Sequence, residues 1–298
     1  MLFARFYLES NSFQYWWIIM RHVMEMVGNA RVVIENGKVT EVSDPVITWC
    51  PLFEKARGIE KITPEKIREN MEFRIQTFGL FTSNRLLDDF EDFVGFGASE
   101  TMMSGLQNKL IDASVSVCDG AGTVITENPS LVQGMGARMS GLVETSPIPE
   151  TIQKIKERNG FVLNEETAII DPIAGAEKAI ALGFKKIAVT VAKAETAVEI
   201  RKLEKENSVS FIIIGVHTTG LSRNDAKTMA ENADIITLCA SQCLREIKPL
   251  LQVGTAVPLI ALTQTGKELL LERAKYVKST LLVNTMPLPY LPDQKQPK

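Results

Sequence analysis

The sequence predicts an α/β protein. Its C-terminal half reads as an open, mostly parallel, doubly wound sheet, and its N-terminal half as a mixed α/β region that starts in a β-hairpin. Three observations carry this. From residue 186 onward, apolar β-rich runs alternate with amphipathic helical runs, the pattern of strands covered by helices on both faces. Asn36-Gly37, the favoured type I′ turn pair, lies between two β-rich runs. Thr145-Ser146-Pro147-Ile148-Pro149 sets two prolines within three residues, which neither a helix nor a strand ladder continues, and marks a boundary near residue 146. The expected division is an N-terminal extension over 1–19, an α/β region over 20–146, a Rossmann-like region over 147–285 and a mobile tail over 286–298.

Taken in order, Tyr15–Met20 is apolar but far shorter than the ~18–20 residues that span a bilayer, so no membrane span is expected there. Regular structure is expected to begin with RHVMEMV at residue 21; the stretch before it reads as sequence upstream of a start at Met20, as an accessory helix lying on the protein or, less well for want of a cationic face, as an interfacial anchor using Trp16 and Trp17. Arg31–Val42 forms the hairpin. Pro51 interrupts ITWCPLF just after Cys50. Thr63-Pro64 then opens a helix to about Phe78, with threonine as its cap and proline at its first position. Asp88, Asp89, Glu91 and Asp92 read as a solvated acidic face, and Ala98–Leu110 as a helix. DASVSV (112–117) is a strand leading into the loop CDGAGT, followed by a helix over Pro129–Met139. The later strands are KIAVTV (186–191), FIIIGV (211–216), DIITL (234–238) and VPLIAL (257–262). Helices are expected near 194–205, 222–232, 242–251 and 267–276.

Composition narrows the chemistry. A chain of 298 residues with 45% hydrophobic and 23% charged side chains buries a core and is not globally disordered. Its 33 basic and 36 acidic residues leave a net charge of −3, which excludes nucleic acid as the main partner. Two histidines cannot build a histidine-rich metal centre, so a protein-held metal would lean on sulfur or carboxylate. Four scattered cysteines are no disulfide scaffold and read as reduced thiols of a cytoplasmic protein.

Ligands of open α/β sheets bind beyond the carboxyl ends of the strands. There the sequence sets Cys118-Asp119-Gly120-Ala121-Gly122-Thr123, His217-Thr218-Thr219-Gly220, Cys239-Ala240-Ser241-Gln242-Cys243 and Thr263-Gln264-Thr265-Gly266. His217, Cys118 and Cys239 are the candidate catalytic groups, as acid/base and thiolate nucleophiles. Asp119, Gly120, Gly122, Thr123, Thr218, Thr219 and Gly220 are the candidate cofactor- or ligand-binding residues. The two loop glycines would let backbone N–H groups approach an anion, although the loop is neither a P-loop nor a dinucleotide fingerprint. Cys239 and Cys243 fall on one face if a helix starts there. A metal or iron–sulfur site would need Cys50, Cys118, Cys239 and Cys243 to converge. Arg138 and Arg223 are candidate clamps for an anionic substrate, with surface pairing as the commoner fate of such arginines, and His22 has no evident role.

The stretches ITWCPLF, RGIEKITPEKIRENMEFRIQTFG, VCDGAGTVIT, LVQGMGARMSGLVETSPIPE, VHTTGLSR and IITLCAS resemble the archaeal family called methanogenesis marker protein 8, over residues 20–285. The resemblance implies a cytoplasmic protein of methanogenic archaea. It implies an accessory factor for maturation, activation or cofactor handling of an enzyme such as methyl-coenzyme M reductase, with that enzyme or its assembly factors as partners. It brings no established activity and no catalytic residues, and no cofactor is named by the sequence. Two other readings stand beside it. One is an enzyme using Cys/His chemistry on a small anionic metabolite, and the other is a non-catalytic protein-interaction module.

Overall fold

The computed structural model describes residues 20–88, 94–254 and 258–281. The expectations for residues 1–19, for Asp89, Glu91 and Asp92, and for the tail lie outside the described residues. Strands β1 (Arg21–Glu25), β2 (Arg31–Glu35), β3 (Lys38–Val42) and β6 (Gly141–Glu144) form an antiparallel sheet in the order β3-β2-β1-β6. The β2–β3 turn has positive φ at both Asn36 and Gly37, as the expected I′ pair requires. Helix α1 (Pro51–Arg57) follows. Helix α2 (Pro64–Phe78) begins where the cap predicts, Thr63 accepting from the Lys66 N–H, and buries Ile67 and Met71 against Met24, Val32 and Ile34.

Among the described residues the second sheet has eight strands in the order β11-β12-β10-β9-β8-β4-β5-β7. These are β4 (Ala113–Cys118), β5 (Gly122–Thr126), β7 (Phe161–Val162), β8 (Lys186–Val191), β9 (Ser210–Gly215), β10 (Ile235–Thr237), β11 (Leu251–Val253) and β12 (Leu259–Ala261). Helices cover both faces. On one face α6 (Pro172–Ala181), α7 (Ala194–Glu206) and α8 (Arg223–Asn232) bring Ala176, Ala197, Ile200 and Met229 onto Val189, Ile213 and Ile236. On the other, α3 (Ala98–Gln107), α4 (Pro129–Gly136) and α9 (Gln264–Ala274) bring Met102, Val132 and Leu269 onto Ala188, Ile212 and Ile214. The period of two along β9 thus feeds two cores, and its unbroken apolar run follows from that.

The sheet is mixed, which corrects the expectation of a mostly parallel one. Strands β4, β8, β9 and β10 are parallel, whereas β12 is antiparallel to β10, and β5 to β4. The reason lies in the connections. The helix expected over 242–251 is only a 3-10 turn over Cys243–Glu246, followed by Pro249 and strand β11. Without a crossover helix the chain returns antiparallel. The glycine-rich CDGAGT forms the tight turn of the β4–β5 hairpin.

The eight-stranded sheet draws strands from both sides of residue 146. The Thr145–Pro149 segment, which leads into α5 (Pro149–Lys156), is stitched to both sheets. Ser146 N–H donates to the Arg21 carbonyl at 3.1 Å, and Ile148 N–H to the Gly120 carbonyl at 2.8 Å.

Candidate functional site

A cavity of about 280 Å³ opens at the carboxyl ends of the parallel strands. Its floor is Ser116 and Val117 of β4, Thr190 of β8, Val216 and His217 after β9, and Thr237 and Cys239 at the end of β10. Its roof comes from the small sheet and its helices: Met26, Ile47, Cys50, Leu52, Phe53 and Arg74. The α3 N-terminus and the end of α4 close the sides with Ser99, Glu100, Val132, Arg138 and Met139. The crevice therefore has apolar walls and a few charged groups, the make-up of small-molecule sites.

Arg74, on α2, is 5% exposed. One Nη donates to the Arg138 carbonyl at 2.7 Å and to Ser140 Oγ at 3.3 Å. Among the described residues no carboxylate pairs with it. Burial, with smaller repulsions from Arg57 and Arg138, lowers its pKa to about 9. The guanidinium stays charged at neutral pH, so Arg74 is a cation buried at a cost, beside two other arginines. Arg138 stacks its guanidinium 4.7 Å from the Phe78 ring centroid. Glu100, also in the lining, accepts from Ser99 Oγ at 3.0 Å and Gln133 Nε2 at 3.2 Å.

His217 is where the sequence expects a polar group at a strand end. Its Nε2 lies 2.6 Å from Glu25 Oε2, at the end of β1. The hydrogen bond from His217, reinforced by nearby positive charge and opposed by desolvation, holds the Glu25 carboxyl below its ordinary range. Thr218 and Gly220 support the loop rather than facing a ligand. Thr218 Oγ1 donates to the Thr237 carbonyl at 2.5 Å, and Gly220 N–H to the Ala240 carbonyl at 3.0 Å. Thr219 lines the crevice, its carbonyl accepting from Asn29 Nδ2 at 3.0 Å.

The β4–β5 turn does not cradle an anion. Gly120 N–H donates to Thr145 Oγ1 at 2.7 Å, Ala121 N–H to the Cys118 carbonyl and Thr123 N–H to the Ile169 carbonyl. A Cβ at Gly122 would lie 2.1 Å from the Ala168 carbonyl oxygen. Close packing and positive φ, not ligand approach, explain these glycines. Thr123 Oγ1 accepts from the Asp171 N–H at 2.8 Å. Asp119 is fully buried, binding Arg85 Nε at 2.8 Å and the Phe81 N–H at 2.6 Å, and so anchors the segment after α2.

The cysteines separate. Cys50 and Cys239 line the crevice, though 189 positions apart in sequence by their numbers. Cys118 is fully buried beneath it among Leu87, Val124, Leu131 and Met135, where burial and the adjacent Asp119 push its thiol up, against a thiolate role. Cys243 packs against the opposite core, and with no helix starting at Cys239 the one-face argument for the CxxxC pair fails. Among the described residues no three His, Cys, Asp or Glu side chains gather into a metal site, so the four-cysteine centre is not assembled. Arg223 pairs with Glu246 on the surface. His22 is buried, its Nδ1 2.7 Å from Thr145 Oγ1, and burial lowers its pKa to about 4.

Arg74 and Glu25 were missed at the sequence level. Each looks like an ordinary surface charge of an amphipathic element, and only the meeting of the two sheets turns it inward. Among the described residues no helix is long and apolar enough to cross a membrane.

Comparison with known proteins adds lineage. The chain is 50% identical over 281 residues to the uncharacterised protein MJ0054 of Methanocaldococcus jannaschii, an alignment covering 93% of this chain and 98% of that one. A family profile described as an uncharacterised protein conserved in archaea (DUF2099) matches residues 22–275, a span that contains every residue of the crevice named above. The chain belongs to this archaeal family.

Proposed function

We propose that this protein is a ligand-handling factor whose crevice binds a small organic anion with an apolar body. The observation that supports this most is Arg74, a buried cation that has no carboxylate partner among the described residues, in the lining of a largely apolar cavity. Leaving a charge unpaired in such a place costs several kcal/mol unless something supplies the opposite charge. A carboxylate, phosphate or sulfonate would do so, while Met26, Phe53, Val132 and Met139 would cover the rest of the molecule.

The resemblance to methanogenesis marker protein 8 gives this reading its context: a cytoplasmic accessory factor that presents or carries the ligand for maturation, activation or cofactor handling of an enzyme such as methyl-coenzyme M reductase. The test is thermal melting of the purified protein against alkyl carboxylates, sulfonates and inorganic phosphate, with native mass spectrometry of anaerobically prepared material. Alkyl anions should raise the melting temperature more than phosphate, and Arg74→Met should abolish the rise. A wild-type protein indifferent to every anion sinks the reading.

A further inference from the structure

The Glu25–His217 pair has features that a mere link between the two sheets does not require. His217 is held at φ +57°, a left-handed conformation that a residue with a Cβ adopts at a cost. The surrounding bonds enforce it: Val216 N–H to the Val191 carbonyl at 2.9 Å on one side, and the Thr218 hydroxyl and Gly220 N–H on the other. This bend turns the imidazole off the end of β9 toward Glu25. The ring lies against Gly141 of β6, where a Cβ would come within 2.7 Å of Cε1 and Nε2, so only glycine leaves room for it.

The carboxylate fixes the chemistry of the ring. Glu25 is ionised and can only accept, so the neutral imidazole carries its proton on Nε2 and keeps the lone pair on Nδ1. Among the described residues no group bonds to Nδ1, and His217 lines the crevice. A carboxylate orienting one imidazole nitrogen while the other faces a cavity is the arrangement of an oriented general base.

We propose that His217, positioned by Glu25, exchanges a proton with the ligand in this crevice. The inference rests on the reading of the crevice as an anion site. The substrate class is an organic anion that also carries a weakly acidic O–H, N–H or S–H. In the forward step the X–H bond breaks, its electron pair stays on X, and the proton bonds to Nδ1. The ring becomes an imidazolium whose Nε2–H remains on Glu25. The ligand gains one negative charge, in the same crevice as the Arg74 cation, and the reverse step returns the proton. Glu25 acts through His217 and is a positioning residue.

The chain has only two histidines, so nitrogen-15 NMR of the imidazoles reads this directly, with His217→Gln assigning the signals. At pH 8 His217 should be the Nε2–H tautomer, and Glu25→Ala should convert it to a tautomer mixture with the melting curve still cooperative. Diethyl pyrocarbonate, mapped by peptide mass spectrometry, should modify His217 and spare His22. Hexanesulfonate should protect His217 in the wild type and not in Arg74→Met. An Nδ1–H tautomer, or a His217 inert to the reagent in the native protein, overturns the proposal. Absence of sulfonate protection with the tautomer intact overturns the anion reading and, with it, the assignment of a substrate to the dyad.

Discussion

Arg74→Met separates a structural arginine from a ligand-binding one. Burial lowers the pKa of Arg74 from its ordinary value to about 9, and at about 1.4 kcal/mol per pH unit this amounts to about 4–5 kcal/mol of penalty on the charged form in the folded state. Unfolding relieves that penalty, so it subtracts from stability at neutral pH, where the group is protonated in both states. The substitution also removes the bonds to the Arg138 carbonyl and Ser140 Oγ, worth together about 2–3 kcal/mol with the cation as donor. Methionine fills a similar volume among Phe53, Ile47 and Met139. The net expectation is a ligand-free protein more stable by about 1–3 kcal/mol, in line with other buried ions replaced by apolar groups. In a chain of 298 residues that raises the melting temperature by about 2–5 °C. The same variant should lose the stabilisation conferred by alkyl anions, about 2.7 kcal/mol in the wild type at a hundredfold excess over the dissociation constant. Differential scanning calorimetry with and without hexanesulfonate measures both. A variant destabilised by 2 kcal/mol or more that still responds to the anion refutes the reasoning.

Three further outcomes are expected. Stability should fall as pH drops from about 6.5 to about 4, because unfolded His22 binds a proton in that window and folded His22 does not; the full effect is about 3 kcal/mol, read by urea unfolding, and a flat profile that His22→Gln leaves unchanged contradicts it. Asp119→Asn, which removes the carboxylate charge that the buried Arg85 Nε binds at 2.8 Å, should cost about 3–5 kcal/mol by the same urea assay, and a loss under 1 kcal/mol would show the pair to be dispensable. In timed alkylation, Cys239 and Cys243 should react in the native protein while the fully buried Cys118 waits for global unfolding; early labelling of Cys118 would argue against its burial.

Local chemistry made much of the fold legible. The Asn36-Gly37 turn, the Thr63 cap and the parallel strands β4, β8, β9 and β10 follow from turn preference, capping and apolar runs. What was missed depends on long-range pairing. Residues 242–251 carry a helical pattern, yet Pro249 and the pairing of β11 with β12 override it. CDGAGT has the look of an anion loop, but the Thr145 hydroxyl and the Ile169 carbonyl, 22 and 46 positions further on by their numbers, already occupy its N–H groups. At the site, His217 and Cys239 were foreseeable because strand ends are fixed by the fold class, and Cys50 reached the same crevice through the roof. Glu25, Gly141 and Arg74 were not, since nothing in the sequence says that β1, β6 and α2 fold over the ends of another sheet.

The pairing of β1 with β6 has a consequence for synthesis. His22 meets Thr145 across 123 residues, and β4 finds its parallel neighbour β8 only after a further helical stretch has been made. As the chain emerges, β2 and β3 can close their hairpin at once, but β1 keeps one edge unpaired until β6 arrives, and β4 keeps one until β8 does. Such non-local pairing slows folding and exposes strand edges to other chains. The crevice, built where the two sheets meet, is therefore among the last parts of the molecule to exist, and a nascent chain cannot hold a ligand there before most of the second sheet has been made.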